Sequence, residues 1–323
     1  MVKIHTYIIH CTSMDARKQK MEKFVTDLQL SKKIDFTFEF ITQLDPTTIT
    51  AEDIKKISLT KQNTADLFDQ LIQNMHANQI SNVLKHGFAI EKAATTNADY
   101  VLIIEDDVLY GDDIGDQLSN ICKDVGEDDF FFLGLPSLKP LDTNVRYTTV
   151  SDSYKLYPCC DSYLAKPATF GKIVSSFYPI KYTNNIQLSY VLTQVMKDQI
   201  QVKMASPNIF LDGSKFGLYL SSVDPNSKLL FNPDFNRLAQ IVYDKNISKE
   251  DVERAFDMMK FRNHPDVMHL YALHQINGQE YEKAQTGLEN IYQILKQNNC
   301  IINGNTEFLK TYMRTFKYTQ DLQ

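Results

Sequence analysis

The chain has 323 residues, of which 43% are hydrophobic, 11% aromatic and 23% charged, with a formal net charge of −6. These proportions exclude a disordered or collagenous protein. Lys and Arg are scattered in ones and twos, with no basic stripe to neutralise a phosphate backbone, so nucleic acid is not an expected partner. Cys11, Cys122, Cys159, Cys160 and Cys300 include no CxxC pair, which points to thiols in a reducing compartment and not to a zinc site or a disulfide framework.

In chain order, the first apolar run, Met1 to Ile9, is too short for a secretory signal or a membrane span, and no later run is long enough. A cytoplasmic protein without a transmembrane segment is therefore expected. Tyr7-Ile8-Ile9 ends a first strand, and Met21, Phe24, Val25 and Leu28 recur at the spacing of a helix with one buried face. Ile34, Phe36, Phe38 and Phe40 alternate with polar residues, the period of a half-buried strand. Ile80, Val83, Leu84, Gly87, Ile90 and Ala94 mark a second helix, which runs into Tyr100-Val101-Leu102-Ile103-Ile104, an apolar run that suits a strand covered on both faces. Phe130-Phe131-Phe132-Leu133 reads as a further inner strand. Strand-helix alternation of this kind predicts an α/β layered fold with a largely parallel sheet.

Past Asn226 the pattern becomes helical. Val252, Ala255, Phe256 and Met259, then Val267, Leu270, Tyr271 and Ala272, then Tyr281, Ala284, Leu288, Ile291 and Leu295 follow helical spacing, with Gly278 between two of these groups. Two regions are expected, 1–226 and a helical C-terminal region 227–323. The segment His264 to Leu295 weakly resembles a single tetratricopeptide repeat, a surface through which a protein partner is recruited.

The feature that carries chemistry is Glu105-Asp106-Asp107, three acids directly after a buried apolar strand. In open α/β sheets ligands bind at the carboxyl ends of strands, so acids there face a crevice. Carboxylate oxygens are the ligands Mg²⁺ and Mn²⁺ prefer, and a nucleoside diphosphate leaving group needs such a cation. The alternative is a solvated turn, as at Gly111-Asp112-Asp113 and Glu127-Asp128-Asp129, neither of which follows such a strand.

The stretch ISNVLKHGFAIEKAATTNADYVLIIEDDV, Ile80 to Val108, resembles the helix-then-strand block of the family 25 glycosyltransferases, with Lys85-His86, Ala89, Lys92-Ala93 and a DxD-like motif at Glu105-Asp106-Asp107 on the family's positions. YIIHCTSMDARKQKM, Tyr7 to Met21, resembles its first strand and loop, with Arg17 on the usual arginine. Asp161-Ser162-Tyr163 resembles an Asp-x-Tyr segment, and DGSKFGLYLSS, Asp212 to Ser222, a closing block. The segment from Asn184 to Tyr190 resembles the family's Ile-Asp-x-x-Leu, with Asn185 where the acid stands.

The resemblance implies a GT-A type, Rossmann-like nucleotide-sugar-binding sandwich with a C-terminal helical appendage. It implies Mn²⁺ or Mg²⁺ held by Glu105 and Asp107, with Glu105 contacting metal or ribose and Asp106 steadying the turn. Ile9, His10, Thr12, Arg17, Asp45, His86 and Asp106 are the residues expected to hold the donor. For Arg17 the alternative is an exposed helix arginine, for Asp45 an Asp-Pro turn residue, and for His86 a satisfied structural histidine. Asp161 or Asp212 is the general base, which must reach the acceptor hydroxyl. Asp107 is expected at a crevice mouth with little core contact.

The activity so implied is transfer of a hexose, galactose or glucose, from a uridine diphosphate sugar to a glycan or a hydroxylysine-type protein acceptor, with inversion. Asn185 and the repeat-like C-terminus support the alternative of a lapsed glycosyltransferase serving as a binding or scaffold protein, because an amide cannot accept the acceptor's proton.

Overall fold

The computed structural model describes residues 1–57, 75–134, 146–150, 160–206, 208–214, 233–244, 246–259 and 265–297. Contacts divide the chain into two units, Met1–Asp212 and Gly213–Gln323. The boundary expected at 226/227 falls within 215–232, outside the described residues.

The first unit alternates strands and helices: β1 (Val2–Ile9), α1 (Asp15–Leu30), β2 (Ile34–Ile41), α2 (Ala51–Ile54), α3 (Ala77–Thr95), β3 (Tyr100–Glu105), β4 (Val108–Tyr110), α4 (Ile114–Ile121), β5 (Asp129–Phe132), β6 (Tyr147–Thr149), β7 (Ser162–Ala165), α5 (Pro167–Phe177), α6 (Asn184–Tyr190), β8 (Gln201–Ala205) and β9 (Phe210–Asp212). Seven strands form one sheet in the order β2-β1-β3-β7-β5-β8-β6, and β4 and β9 form a separate two-stranded ribbon.

Strand alternation sorts the core into two layers. Tyr7, Ile9, Val101, Ile103, Phe130 and Phe132 pack beneath α3, α5 and α6, with Val83, Leu84, Ile90, Phe170, Ile173 and Leu188. Ile4, Ile8, Leu102, Ile104 and Phe131 point to the other face and meet Met21, Phe24 and Leu28 of α1 and Ile114, Leu118 and Ile121 of α4. Helices therefore cover both faces, as the uninterrupted apolar runs of β3 and β5 require.

The sheet is mixed and not largely parallel. β1 runs parallel to β2 and β3, and β5 parallel to β8. β7 lies antiparallel to both β3 and β5, and β6 antiparallel to β8. A strand buried on both faces gives the same apolar run in either direction, so the pattern carries no sign of the reversal.

Capping fixes where α3 begins. His76 Nδ1 accepts from the Gln79 amide while the Gln79 side chain accepts from the His76 amide, a reciprocal capping box. Start point and helical period then decide which side chains of α3 face the sheet's carboxyl edge.

In the second unit α7 (Pro233–Tyr243), α8 (Lys249–Asp257) and α9 (Pro265–Asn277) share a small core of Leu238, Val252, Phe256, Val267 and Leu270. α10 (Tyr281–Gln297) packs on α9 through Ala272, Ala284, Leu288 and Ile291. Gly278 and Gln279 make the turn between them, as the spacing predicts, with Gln279 at a φ of 62°. No helix among the described residues is long and apolar enough to cross a membrane.

Phe131, fully buried in the centre of the sheet, provides a check on this layering: Phe131→Ala should lower unfolding stability by about 4 kcal/mol in denaturant titration, whereas a loss below ~1 kcal/mol would contradict its placement.

Candidate active site

β3 ends at Glu105 beside the carboxyl end of β1, where Ile9 pairs with Glu105. The three acids that follow do not share one environment. Each is held by different elements.

Asp106 turns toward α1. Its Oδ2 accepts from His10 Nδ1 at 2.7 Å and its Oδ1 from Arg17 Nη1 at 2.9 Å, with all three side chains buried. Burial alone would raise the Asp106 carboxyl, but the His10 hydrogen bond and the Arg17 charge outweigh it and hold the group below the usual carboxylate range. Arg17 is thus a buried residue and not an exposed helix arginine.

Asp107 is the exception. Its Oδ2 lies 3.6 Å from Arg17 Nη1, while its Oδ1 is buried with no hydrogen-bond partner. Only 5% of the residue is exposed, so the carboxylate is not at an open mouth as expected. The reason lies in the neighbours. β4 starts at the next residue, and Val108 pairs with Asp212 of β9. From α1, Lys20 Nζ donates to Val108 O at 2.6 Å, closing the other side. Burial pushes the Asp107 carboxyl well above its ordinary range; Arg17 opposes this, and Asp212, Glu105 and Asp106 add to it. Burial pushes Lys20 down to about 8, against the pull of Asp107.

Glu105 turns the opposite way, toward α3. Its Oε1 accepts from His86 Nε2 at 3.0 Å and from Asn82 Nδ2 at 3.1 Å, and its side chain is 23% exposed. A carboxylate only accepts, so Nε2 carries the proton, and His86 Nδ1 accepts from the Tyr163 hydroxyl at 2.8 Å. Burial raises the Tyr163 hydroxyl far above its usual range, so it stays protonated and donates. His86 is fully buried and satisfied at both ring nitrogens, a positioning group behind Glu105.

The Glu105 amide donates to Asp161 O at 2.8 Å, which sets the buried Asp161 beside Glu105 across β3 and β7. Gly134 keeps this junction tight: a Cβ there would lie 2.6 Å from Ser162 Oγ, 3.1 Å from Phe210 O and 3.2 Å from Asp161 Oδ2. Backbone pairing thus brings Asp161 beside Glu105, and the charge of Asp212 bears on Asp107 together with those of Glu105 and Asp106.

Asp45 lies in the loop after β2. Lys85 Nζ donates to its Oδ1, and its Oδ2 accepts from the Thr12 amide at 3.0 Å and from the Thr12 hydroxyl. Burial would raise this carboxyl, but the hydrogen bonds from Lys85 and Thr12 hold it below its usual range. Ile9, His10, Thr12, Arg17, Asp45, His86 and Asp106 are therefore brought to one edge of the sheet, together with the four other acids. The Asp212 to Ser222 block passes beyond residue 214 into residues outside the described set.

Sequence reading missed Asn82, Ser81, Tyr163 and Lys20. Lys20 carries a visible signal, one helical turn after Arg17, and Asn82 stands four residues before His86.

Helices on both faces of the mixed sheet, with carboxylates gathered at the carboxyl end of β3, make the first unit a Rossmann-like α/β domain. The model of glycosyltransferase family 25 (LPS biosynthesis protein) matches residues 3–206. This span covers most of the chain and nearly all of the first unit, and the chain belongs to that family. No curated protein sequence matches it.

The contrast between the two aspartates is testable by thermal and chemical unfolding. Asp106→Asn removes the charge that pairs with buried Arg17 and His10 and should lower stability by roughly 3 kcal/mol. Asp107→Asn removes a poorly satisfied buried charge, so its melting temperature should equal or exceed the parent's. Equal destabilisation by both would remove the distinction.

Proposed function

We propose that this chain moves a hexose, galactose or glucose, from a uridine diphosphate sugar to a glycan or hydroxylysine-type acceptor, inverting the anomeric carbon, with Mn²⁺ or Mg²⁺ at the donor diphosphate. Family membership supports glycosyl transfer itself. The observation that carries the finer reading is Asp107, a buried carboxylate with one oxygen unpartnered at a strand's carboxyl end. Such an atom is destabilising unless something binds it.

Among the described residues no group of three or more His, Cys, Asp or Glu side chains is placed to hold a metal ion. The usual mode for Mg²⁺ at a diphosphate needs only one or two carboxylates, with phosphate oxygens and water completing the shell. Asp107 is the direct ligand and Asp212, whose charge bears on it from β9, the second carboxylate. Glu105, held through one oxygen by His86 and Asn82, meets the metal or the ribose with the other. When bound, the cation supplies Lewis-acid stabilisation of the diphosphate leaving group.

With Asp212 beside Asp107, Asp161 is the base. Its carboxylate takes the proton of the acceptor hydroxyl as that oxygen bonds to the anomeric carbon and the carbon–diphosphate bond breaks. Arg17 and Lys20, one turn apart on α1, line the side where negative charge accumulates.

One observation favours the lapsed binding protein. The Asn185 side-chain oxygen accepts from the Cys160 amide at 3.1 Å, so the residue standing in the acid's place does structural work next to Asp161. Under that reading the donor pocket binds without turnover and the C-terminal helices recruit a protein partner.

Calorimetry with Mn²⁺ and a nucleotide-sugar panel, followed by donor-hydrolysis and transfer assays, separates the two. Asp107→Ala should lower turnover by about 10²–10³ and weaken Mn²⁺ binding, while Asn185→Ala should change turnover little. Near-parental turnover and Mn²⁺ response in Asp107→Ala would sink the metal assignment. Donor binding without hydrolysis or transfer would establish the lapsed reading, and an α-linked product would sink inversion.

A further inference from the structure

α3 faces the carboxyl edge of the sheet with two adjacent stripes. Asn82 and His86, four residues apart, hold Glu105. Ser81 and Lys85, one position earlier in each case, reach instead to the loops that follow β1 and β2. Residues four apart lie on one face of a helix, so each stripe moves as a unit.

The second stripe closes a ring of contacts. Lys85 Nζ donates both to the backbone oxygen of His10 and to Asp45 Oδ1. Asp45 Oδ2 accepts from the amide and hydroxyl of Thr12, two residues beyond His10. Ser81 Oγ donates to Leu44 O at 2.6 Å, and Leu44 has a φ of 65°, a left-handed conformation that is strained for a leucine. Lys85 is 2% exposed and Asp45 5%.

A buried ammonium–carboxylate pair is a poor device for stability alone, because an apolar pair of similar volume often holds two segments at least as well. What the pair adds is direction. It fixes the His10 carbonyl, the Thr12 amide and the strained Leu44–Asp45 backbone together at the ends of two adjacent parallel strands, the place where α/β sheets take nucleotides.

We propose that Lys85, assisted by Ser81, is a positioning residue for the nucleotide half of the donor: it sets the two loops that grip the donor and does not touch the reacting atoms. This rests on the donor-binding reading above. It also gives Asp45 an indirect role, since both its oxygens are engaged within the ring.

The test uses the full-length protein with a uridine diphosphate hexose that the parent turns over, comparing Lys85→Met, Lys85→Arg and Ser81→Ala. Donor KM, donor Kd by calorimetry, acceptor KM, kcat per folded molecule and melting temperature are measured for each. The expected result for Lys85→Met is a donor KM and Kd raised about tenfold or more, with acceptor KM and kcat within about threefold of the parent. Lys85→Arg should recover part of the loss, and Ser81→Ala should show a smaller shift in the same direction. A purely structural lysine would lower the folded fraction, and hence the apparent kcat, while leaving donor KM alone. A parental donor KM and Kd in Lys85→Met therefore overturns the inference while the proposed transfer stands. If Lys85→Met does not fold, Ser81→Ala decides, because it removes one hydroxyl and no charge: a raised donor KM supports the proposal and a parental one overturns it. A parent that neither binds nor hydrolyses any donor in the panel defeats the transferase reading and this inference with it.

Discussion

Asp106, a single buried carboxylate, joins the three elements that meet at the site. Its two oxygens are taken by His10 from the end of β1 and by Arg17 from the first turn of α1, while its own backbone continues β3. With both oxygens paired inside the protein, Asp106 has an ion pair's geometry without an exposed charge. The turn must then pass its next side chain to the other side. Asp107 arrives buried, one oxygen without a partner, with Arg17 as its near positive charge and Asp212 and Glu105 adding repulsion. Stability placed in one aspartate thus fixes the destabilised position of its neighbour, and functional groups are where such local conflicts are expected.

The same division of labour runs through α3. Its apolar residues Val83, Leu84, Ile90 and Ala93 belong to the core, which locks the helix against the sheet. With that face fixed, Ser81, Asn82, Lys85 and His86 have no freedom to choose other partners. Their targets, Leu44, Asp45, His10 and Glu105, lie far away in sequence and are assembled by packing and not by local propensity. Tyr163 from β7 closes the sequence of contacts behind His86, so the antiparallel strand between β3 and β5 also supports Glu105.

This explains what could be read from the sequence. The two-faced apolar run before Glu105, the helical spacing from Ile80 to Ala94 and the inner strand at Phe130 are local patterns, and each became the element it signalled. The acid triplet was visible because it interrupts such a run. What each acid does was not visible, because consecutive residues leaving a strand turn to different neighbours, and those neighbours come from α1, α3 and β9. The direction of β7 left no trace, since both faces of the strand are buried whichever way it runs. Lys85 could be noticed only as half of a Lys-His pair; its partners, a backbone carbonyl and a carboxylate forty positions away, have no signature in one sequence.

The gathering of acids at the end of β3 has a consequence for the proposed chemistry. Carboxylates crowded together titrate as a group and cannot all stay ionised without a cation. Here Glu105 is anchored to α3 through His86 and Asn82, and Asp106 is paired with Arg17, while burial and the charges of Asp212, Glu105 and Asp106 push the Asp107 carboxyl up against the pull of Arg17. Under the proposed reading a cation bound at Asp107 relieves that repulsion, while the β3–β7 pairing sets Asp161 beside Glu105. A base and a leaving-group site must differ in electrostatic character to act in one displacement, the first taking up a proton and the second stabilising a departing anion. The strand order puts the two proposed roles on different elements: Asp161 leads into β7 on one flank of β3, and the β4–β9 ribbon carries Asp212 to the turn that follows β3.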